Sequence, residues 1–155
     1  MSHRISAGAI IFRDDQVLLV NHVKAGDYDF LVAPGGGVVG DESLEAAAIR
    51  EVKEECGLDA AIGRLAYIEE LLQPEYRQCK FWFAAELLGG EIETSQIEAT
   101  REHIVGARFF SRDELADADA EVMVFPRELR DRVWLDRREG FAAPVMLPLR
   151  KLEFW

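Results

Sequence analysis

Residues 36–58, with the sequence GGVVGDESLEAAAIREVKEECGL, decide the fold of this chain more than any other stretch. They begin within a glycine run after Pro34, and such a run interrupts regular structure and lets backbone approach a ligand closely. From about residue 42 to 56 the pattern becomes helical, with apolar side chains every four residues at Leu44, Ala48 and Val52. Gly57 stands where a helix often ends on a left-handed glycine. The stretch therefore predicts a glycine loop that leads directly into one helix.

Three carboxylates share one side of this predicted helix. Glu51, Glu54 and Glu55 fall within an arc of roughly 100°, and like charges at such spacings destabilise a helix. A solvated acidic face is the ordinary explanation for such a cluster. The preceding glycine loop favours a second one, in which carboxylates and backbone carbonyls converge on one point. Oxygen ligands of this kind suit Mg²⁺ or Mn²⁺ rather than zinc. No Gly-Lys-Ser/Thr follows the glycines, so a P-loop is a poor alternative.

The remainder of the chain is typical of one α/β domain that covers residues 1–155. The apolar pattern predicts a hairpin from 4–12 and 16–24, an extended segment over 27–33, and strands near 60–72, 77–88 and 104–110. Two further helices are predicted, one after the capping box of Ser111 and Glu114 and one over 126–138.

Composition and charge limit the partners of the chain. Its 155 residues carry a formal net charge of −11, which argues against binding of long nucleic acid. The same charge would repel a small phosphorylated substrate unless cations lay between protein and phosphate. No apolar stretch is long enough to cross a bilayer, no leader is recognisable, and only two cysteines occur. We expect a cytoplasmic protein with reduced thiols and no membrane partner.

The spacing within residues 36–58 resembles the Nudix box, GX5EX7REUXEEXGU, in which U is a bulky aliphatic residue. Every fixed position matches, and the aliphatic positions are Val52 and Leu58; the fixed ones are Gly36, Glu42, Arg50, Glu51, Glu54, Glu55 and Gly57. One departure lies outside the strict signature. Val39 stands at a position that is often acidic in the family, and the glycine that usually follows two residues later is displaced by one position, to Gly40. The chain is identified as a member of the Nudix (MutT-like) hydrolase family.

The resemblance implies a fold, a reaction and a cofactor. The family fold is an α/β/α sandwich with a mixed β-sheet, beside which the box forms a loop–helix–loop motif. Most members use Mg²⁺ or Mn²⁺ to hydrolyse a small nucleoside diphosphate linked to another group X, giving a nucleoside monophosphate and phosphorylated X. A homodimer is common in the family, and the apolar tail, residues 141–155, would be available to contribute to it.

Roles for individual residues follow from the resemblance. Glu54 and Glu55 would be the main metal ligands, Glu51 a further ligand or the group that activates water, and the Gly35 carbonyl an additional ligand. Arg50 would orient the glutamates by ion pairing, and Glu42 would support the loop or the metal shell.

Many members add an acidic ligand shortly before the strand that ends here near residue 110. Glu102 is the first choice for that role and Glu98 the second, with a solvated loop glutamate as the alternative for either. The neighbouring His103 is interpreted as a surface or packing residue.

The sequence offers competing indications of the substrate. The position of Pro74 beyond the box resembles ADP-ribose pyrophosphatases, whereas that of Tyr76 resembles dinucleoside polyphosphate hydrolases. ADP-ribose or an NDP-sugar-like compound is favoured; dinucleoside polyphosphates, oxidised dNTPs and a non-catalytic nucleotide sensor are the alternatives. Strand alternation places Phe81 and Phe83 on one face and Trp82 on the other; packing in the core is the favoured interpretation of these rings, and stacking of one of them on a base is the alternative. The candidate substrate contacts are Tyr76, Arg77, Lys80 and Phe81.

Overall fold

The computed structural model describes residues 1–117 and 121–152, which form a ten-stranded mixed β-sheet with short helices around it. The strands are β1 Ser2–Arg13, β2 Gln16–Lys24, β3 Tyr28–Val32, β4 Gly35–Gly37, β5 Leu58–Leu72, β6 Tyr76–Gly90, β7 Ile104–Ser111, β8 Met123–Phe125, β9 Val145–Met146 and β10 Arg150–Lys151. The helices are α1 Leu44–Cys56, α2 Ile97–Arg101, α3 Arg112–Asp117, a 3₁₀ turn Arg127–Arg130, and α4 Arg132–Arg138.

The main path of the sheet runs in the order β10-β5-β6-β1-β2-β3-β8. The strands β4, β7 and β9 lie off this path and pair with β1, β2 and β5, respectively. The predicted hairpin is confirmed, since β1 and β2 are antiparallel with Phe12 opposite Val17, whereas β1 and β6 run parallel. This mixed sheet with flanking helices confirms the predicted fold class.

Each of the two central strands, β1 and β2, contains a continuous buried segment. Residues 17–20 of β2 are fully inaccessible, and so are Ile10 and Ile11 of β1, as expected for strands covered on both faces. Helix α1 contributes Ala47 and Ala48 to a cluster with Ala7 and Phe83. Trp82 is completely buried and, as the neighbour of Phe83 in a strand, points to the other face.

Helix α1 begins at Leu44, close to the predicted residue 42, and ends before Gly57 as predicted. The Ser43 hydroxyl accepts a hydrogen bond from the Ala46 N–H at 3.1 Å and caps the start of the helix. At the other end, Gly57 adopts φ 74° and donates its N–H to the Lys53 carbonyl at 2.9 Å. The capping box of Ser111 and Glu114 is likewise present at the start of α3.

Three local predictions are corrected by the structure. The glycines of residues 35–37 form a short strand on β1 instead of interrupting regular structure, because Gly35 meets Gly8: a Cβ at residue 35 would lie 2.5 Å from the Gly8 Cα. The helix predicted over 126–138 is divided at Asp131, which has φ −142° and ψ −84°. Strand β8, parallel to β3, was not predicted.

The predicted tail is only partly described. Strands β9 and β10 pair with β5, while residues 153–155 lie outside the described part of the chain. Among the helices of residues 1–117 and 121–152, none has the length and apolar character needed to cross a membrane.

Candidate active site

A cavity of about 260 Å³ lies between the glycine strand β4 and strands β5 and β6. Its polar lining consists of Arg4, His22, Glu69, Gln78, Lys80 and Glu102. Its aromatic lining consists of Phe30, Tyr76, Trp82 and Phe125. The cavity therefore offers flat apolar surfaces beside charged groups of both signs.

Arg50 holds the acidic residues of α1 and its preceding loop in one arrangement. Its guanidinium donates to Glu42 at 2.6 Å, to Glu51 at 2.8 Å and to Glu54 at 3.0 Å. It also donates to the Gly37 carbonyl at 3.0 Å. These hydrogen bonds lower the pKa of Glu42 to about 2 and raise the pKa of Arg50. The repulsion between like charges on the helix is thus relieved by a planar five-donor group, which a lysine could not replace.

The carboxylate of Glu51 lies against Gly36, in space that a side chain at residue 36 would fill. Glu51 is 5% exposed, and a Cβ at residue 36 would lie 2.5 Å from its Oε1. Burial raises the pKa of Glu51, and the negative charges of Glu102 and Glu54 add to this, although the hydrogen bond from Arg50 acts in the opposite direction. The glycine fixed in the box at residue 36 therefore has a direct steric role beside a site carboxylate.

We expect Gly36→Ala to displace Glu51 and to lower the unfolding free energy by about 1–3 kcal/mol, the usual cost of overpacking a filled site. Urea unfolding measures the change. Gly89→Ala is the matched control, because a Cβ at residue 89 meets no atom within 4 Å. Equal effects of the two substitutions would contradict the steric role of residue 36.

Glu55 is the most deeply buried carboxylate of the box. It is 1% exposed, and its Oε2 accepts a hydrogen bond from the Gly35 N–H at 3.2 Å. Its Oε1 is buried and has no hydrogen-bond partner within residues 1–117 and 121–152. Burial, together with the charges of Glu102 and Glu51, raises the pKa of Glu55 well above the ordinary carboxyl value. Because an unpaired buried carboxylate oxygen is costly, this atom fits a position that a bound cation would occupy.

Two further residues complete a group around Glu55. A ring nitrogen of His22 and a carboxylate oxygen of Glu102 lie with a Glu55 oxygen so that all three atoms are within 4.8 Å of one another. The structure thus brings Glu102 to Glu55, whereas Glu98 lies at the start of α2 and does not belong to this group. Clustered carboxylates with an orphaned oxygen suit Mg²⁺ or Mn²⁺. A metal-ligand role for the Gly35 carbonyl stays a prediction.

The substrate contacts predicted from β6 divide between two locations. Tyr76 and Lys80 line the cavity. Arg77 forms an ion pair with Glu70, and Phe81 packs on the other side of the strand against the cluster that contains Phe83. The structure therefore does not bring Arg77 or Phe81 to the cavity.

Lys80 is a buried cation at the cavity wall. It is 8% exposed, and its Nζ lies 4.3 Å from the centroid of the Trp82 ring. Burial lowers the pKa of Lys80, and the negative charges of Glu55 and Glu69 act in the opposite direction.

Glu69 was not predicted as a site residue, although it lines the same cavity. It is 1% exposed, and it accepts hydrogen bonds from Trp82 Nε1 at 2.8 Å and from Arg150 Nη1 at 3.3 Å. Burial raises the pKa of Glu69 despite these two donors. No local pattern marks Glu69, because its partners lie in β6 and at the far end of the chain.

Comparison with known proteins agrees with this fold. The chain matches the family model of the NUDIX domain over residues 2–137, and it therefore belongs to this family. A relative in Pseudomonas aeruginosa, the NAD-capped RNA hydrolase NudC, is 35% identical over 147 residues, which cover 92% of this chain and 49% of the relative. Nudix hydrolase 5 of Arabidopsis thaliana is 31% identical over 117 residues, covering 73% of this chain and 38% of the relative. The chain thus spans half or less of the length of these two relatives.

Solved structures show the same fold. The crystal structure of a NUDIX hydrolase from Nitrosomonas europaea superposes with a TM-score of 0.69 at 21% identity, covering 99% of this chain and 80% of the other. An ADP-ribose pyrophosphatase from Streptococcus suis superposes with a TM-score of 0.63 at 24% identity, covering 96% of this chain and 98% of the other. At this level of identity the likeness concerns the fold alone.

Proposed function

We propose that this chain is a metal-dependent pyrophosphohydrolase that cleaves a small nucleoside diphosphate linked to a group X into a nucleoside monophosphate and phosphorylated X. The observation that carries the proposal is Oε1 of Glu55, which is buried and finds no hydrogen-bond partner among the described residues; Glu55 belongs to a group with Glu102 and His22, and the last two of these line an aromatic cavity. A purely structural acidic cluster would be expected to satisfy or expose that oxygen.

The chain's own residues divide the work of such a reaction. Glu54, Glu55 and Glu102 would hold Mg²⁺ or Mn²⁺, and Arg50 keeps Glu51 and Glu54 in fixed positions through hydrogen bonds of 2.8 and 3.0 Å. The bound ion would neutralise the diphosphate and lower the pKa of the attacking water. Glu51, whose pKa is raised by burial, would accept the proton of that water.

The lining of the cavity supports a substrate with a base or sugar next to a diphosphate. Phe30 and Tyr76 offer aromatic surface, while Arg4 and Lys80 place positive charge at the wall. The Pseudomonas relative is named for NAD-capped RNA, and NAD itself is a nucleoside diphosphate joined to a second group. ADP-ribose and NDP-sugars, which share that arrangement, are the favoured substrates.

Tyr76 in the cavity wall keeps one alternative open, a dinucleoside polyphosphate or an oxidised dNTP as substrate. A nucleotide sensor without turnover is the non-enzymatic alternative, although all four acidic positions of the box are present. We further propose that long nucleic acid is not bound, because the net charge of −11 opposes it. A cytoplasmic location and a homodimer also stay predictions.

A substrate panel tests the proposed function. The purified chain is incubated with ADP-ribose, UDP-glucose, NADH, diadenosine tetraphosphate, 8-oxo-dGTP and a NAD-capped RNA oligonucleotide, with Mn²⁺, with Mg²⁺ or with EDTA. We expect release of a nucleoside monophosphate from the first three compounds only when metal is present. Binding without turnover of any compound would favour the sensor, and preferred cleavage of the capped oligonucleotide would overturn the exclusion of nucleic acid.

Lys80 and Arg77 provide a matched pair for the substrate contacts. Lys80→Met should raise KM for the best substrate by about tenfold or more, since a charge-assisted contact to phosphate is worth about 1.5–3 kcal/mol. Arg77→Met removes a cation three residues earlier that is paired with Glu70, so it should change KM less than twofold. Steady-state kinetics measures both, and a larger effect of Arg77→Met would contradict the placement of the substrate.

A further inference from the structure

The imidazole of His22 is held in one orientation at the edge of the acidic group. Its Nδ1 lies 2.9 Å from the backbone carbonyl of Glu102, and because a carbonyl can only accept, Nδ1 carries the proton. The ring also stacks on Phe30, with centroids 4.9 Å apart and planes within 8° of parallel. A neutral His22 therefore keeps a lone pair on Nε2, in a ring that two contacts fix.

This arrangement has the features of a metal-binding histidine. In histidines that bind a metal, the N–H of the other ring nitrogen almost always donates a hydrogen bond to a carbonyl, a carboxylate or water. This hydrogen bond sets the tautomer and the ring plane. A His22 nitrogen, a Glu55 oxygen and a Glu102 oxygen lie within 4.8 Å of one another. Atoms that bind one ion at about 2.1 Å lie no more than about 4.2 Å from one another, so the three side chains would have to move closer together to share an ion.

An independent observation points to a ligand at the same place. Glu55 is 1% exposed, and its buried Oε1 accepts no hydrogen bond from the part of the chain that the structure describes. Lys80 offsets part of the negative charge from its position beside Trp82, but it donates no hydrogen bond to that oxygen among the described contacts. Glu55, which carries the orphaned oxygen, thus belongs to the same small group as the oriented imidazole.

We propose that His22 is a nitrogen ligand, which with Glu55 and Glu102 forms a mixed nitrogen–oxygen site that prefers a transition-metal ion such as Mn²⁺ to Mg²⁺. The proposal rests on the proposed function in that the acidic group holds a divalent cation. Imidazole is a ligand for transition metals, whereas Mg²⁺ favours oxygen ligands and retains several waters. His22 would therefore decide which ion the site selects.

Electron spin-echo spectroscopy of the Mn²⁺-loaded full chain, prepared without a histidine tag, tests the ligand directly. Coordinated imidazole gives ¹⁴N modulations, and the chain contains only three histidines, at residues 3, 22 and 103. We expect the signal in the unchanged chain and its loss in His22→Gln, which keeps a donor for the Glu102 carbonyl, and in His22→Phe, which keeps the stack on Phe30. His103→Asn should retain the signal; asparagine suits the left-handed φ of 60° at that position.

Metal affinity gives a second readout. Both His22 variants should raise the Kd for Mn²⁺ by about tenfold or more, the lower end of effects seen around metal sites, with less change for Mg²⁺ measured by competition. Circular dichroism checks that the variants are folded. An oxygen-only Mn²⁺ spectrum of the unchanged chain, or a nitrogen signal lost in His103→Asn but not in the His22 variants, would overturn the proposal.

The same experiments separate the two proposals. Hydrolysis with Mg²⁺ or Mn²⁺ together with an oxygen-only spectrum would remove His22 from the ligand set and leave the proposed function in place. A chain that binds no Mn²⁺ at millimolar concentration and hydrolyses nothing would overturn both.

Discussion

Glu55→Gln should reduce metal-dependent hydrolysis by at least about 10²-fold and should at the same time raise the melting temperature of the metal-free protein. The loss follows from removal of one group from a catalytic unit, where single substitutions commonly cost 10²-fold or more. The gain follows from burial: the charged form of Glu55 is disfavoured inside the protein, and its pKa is raised. Gln has nearly the same shape and can still accept from Gly35 N–H, but it carries no charge.

The pH dependence of that gain has a definite sign. A carboxyl whose folded-state pKa lies above its unfolded value loses stability as pH rises beyond the unfolded value, about 4.5. The difference in melting temperature between Glu55→Gln and the unchanged chain should therefore be large at pH 8 and small at pH 4.5. Thermal unfolding in EDTA measures it.

Glu54→Gln is the matched comparison for Glu55→Gln. It should lower hydrolysis to a similar extent, but it should bring no stability gain, because Glu54 is 30% exposed and already paired with Arg50. Near-normal activity of either variant would contradict the proposed role of that glutamate as a metal ligand. A lower melting temperature of Glu55→Gln would contradict the electrostatic account of its burial.

Arg50→Met is expected to have the second large effect, on stability and activity together. It removes a guanidinium that contacts three carboxylates and leaves Glu51, 6% exposed at its side chain, without its donor. Breaking a buried pair from one side costs about 3–5 kcal/mol, and the 29% exposure of Arg50 reduces the expected loss to about 2–3 kcal/mol. Urea unfolding at pH 7 measures it, and hydrolysis should fall by at least about 10²-fold because Glu51 and Glu54 lose their common anchor.

Arg50→Lys is the control that separates the positive charge of Arg50 from the hydrogen-bond geometry of its guanidinium. It keeps the positive charge but not the fork that reaches Glu42, Glu51 and Glu54 together. We expect it to recover part of the stability and little of the activity. Full recovery by lysine would mean that net charge, rather than the hydrogen-bond geometry, is what Arg50 supplies.

The helix could be predicted because its signals are local, whereas the strand that replaces the predicted glycine loop depends on pairing with distant β1. Apolar spacing and Gly57 lie within one short stretch, and the structure places the helix at Leu44–Cys56. Glu102 could be proposed because its position in the chain, shortly before a strand, resembles that of an extra-box ligand in the family.

The remaining residues of the site depend on pairing between distant segments. His22 reaches Glu102 because β2 pairs with β7, with an irregularity between Asn21 and His22 that no periodicity reveals. Strand alternation separated Phe81 from Trp82, but it could not tell which face would border the cavity. Glu69 is defined as a site residue only by the fold around it.

The ion pair between Arg150 and Glu69 shows that residues beyond the family match contribute to the structure around the cavity. The family match stops at residue 137, whereas Arg150 backs the cavity wall and β10 pairs with β5 at Leu71, which also lines the cavity. A chain trimmed to the matched residues would lose Arg150 and β10, and the buried carboxylate of Glu69 would lose its ion-pair partner. Arg150, thirteen residues past the boundary of the family match, therefore helps to form the wall of the cavity.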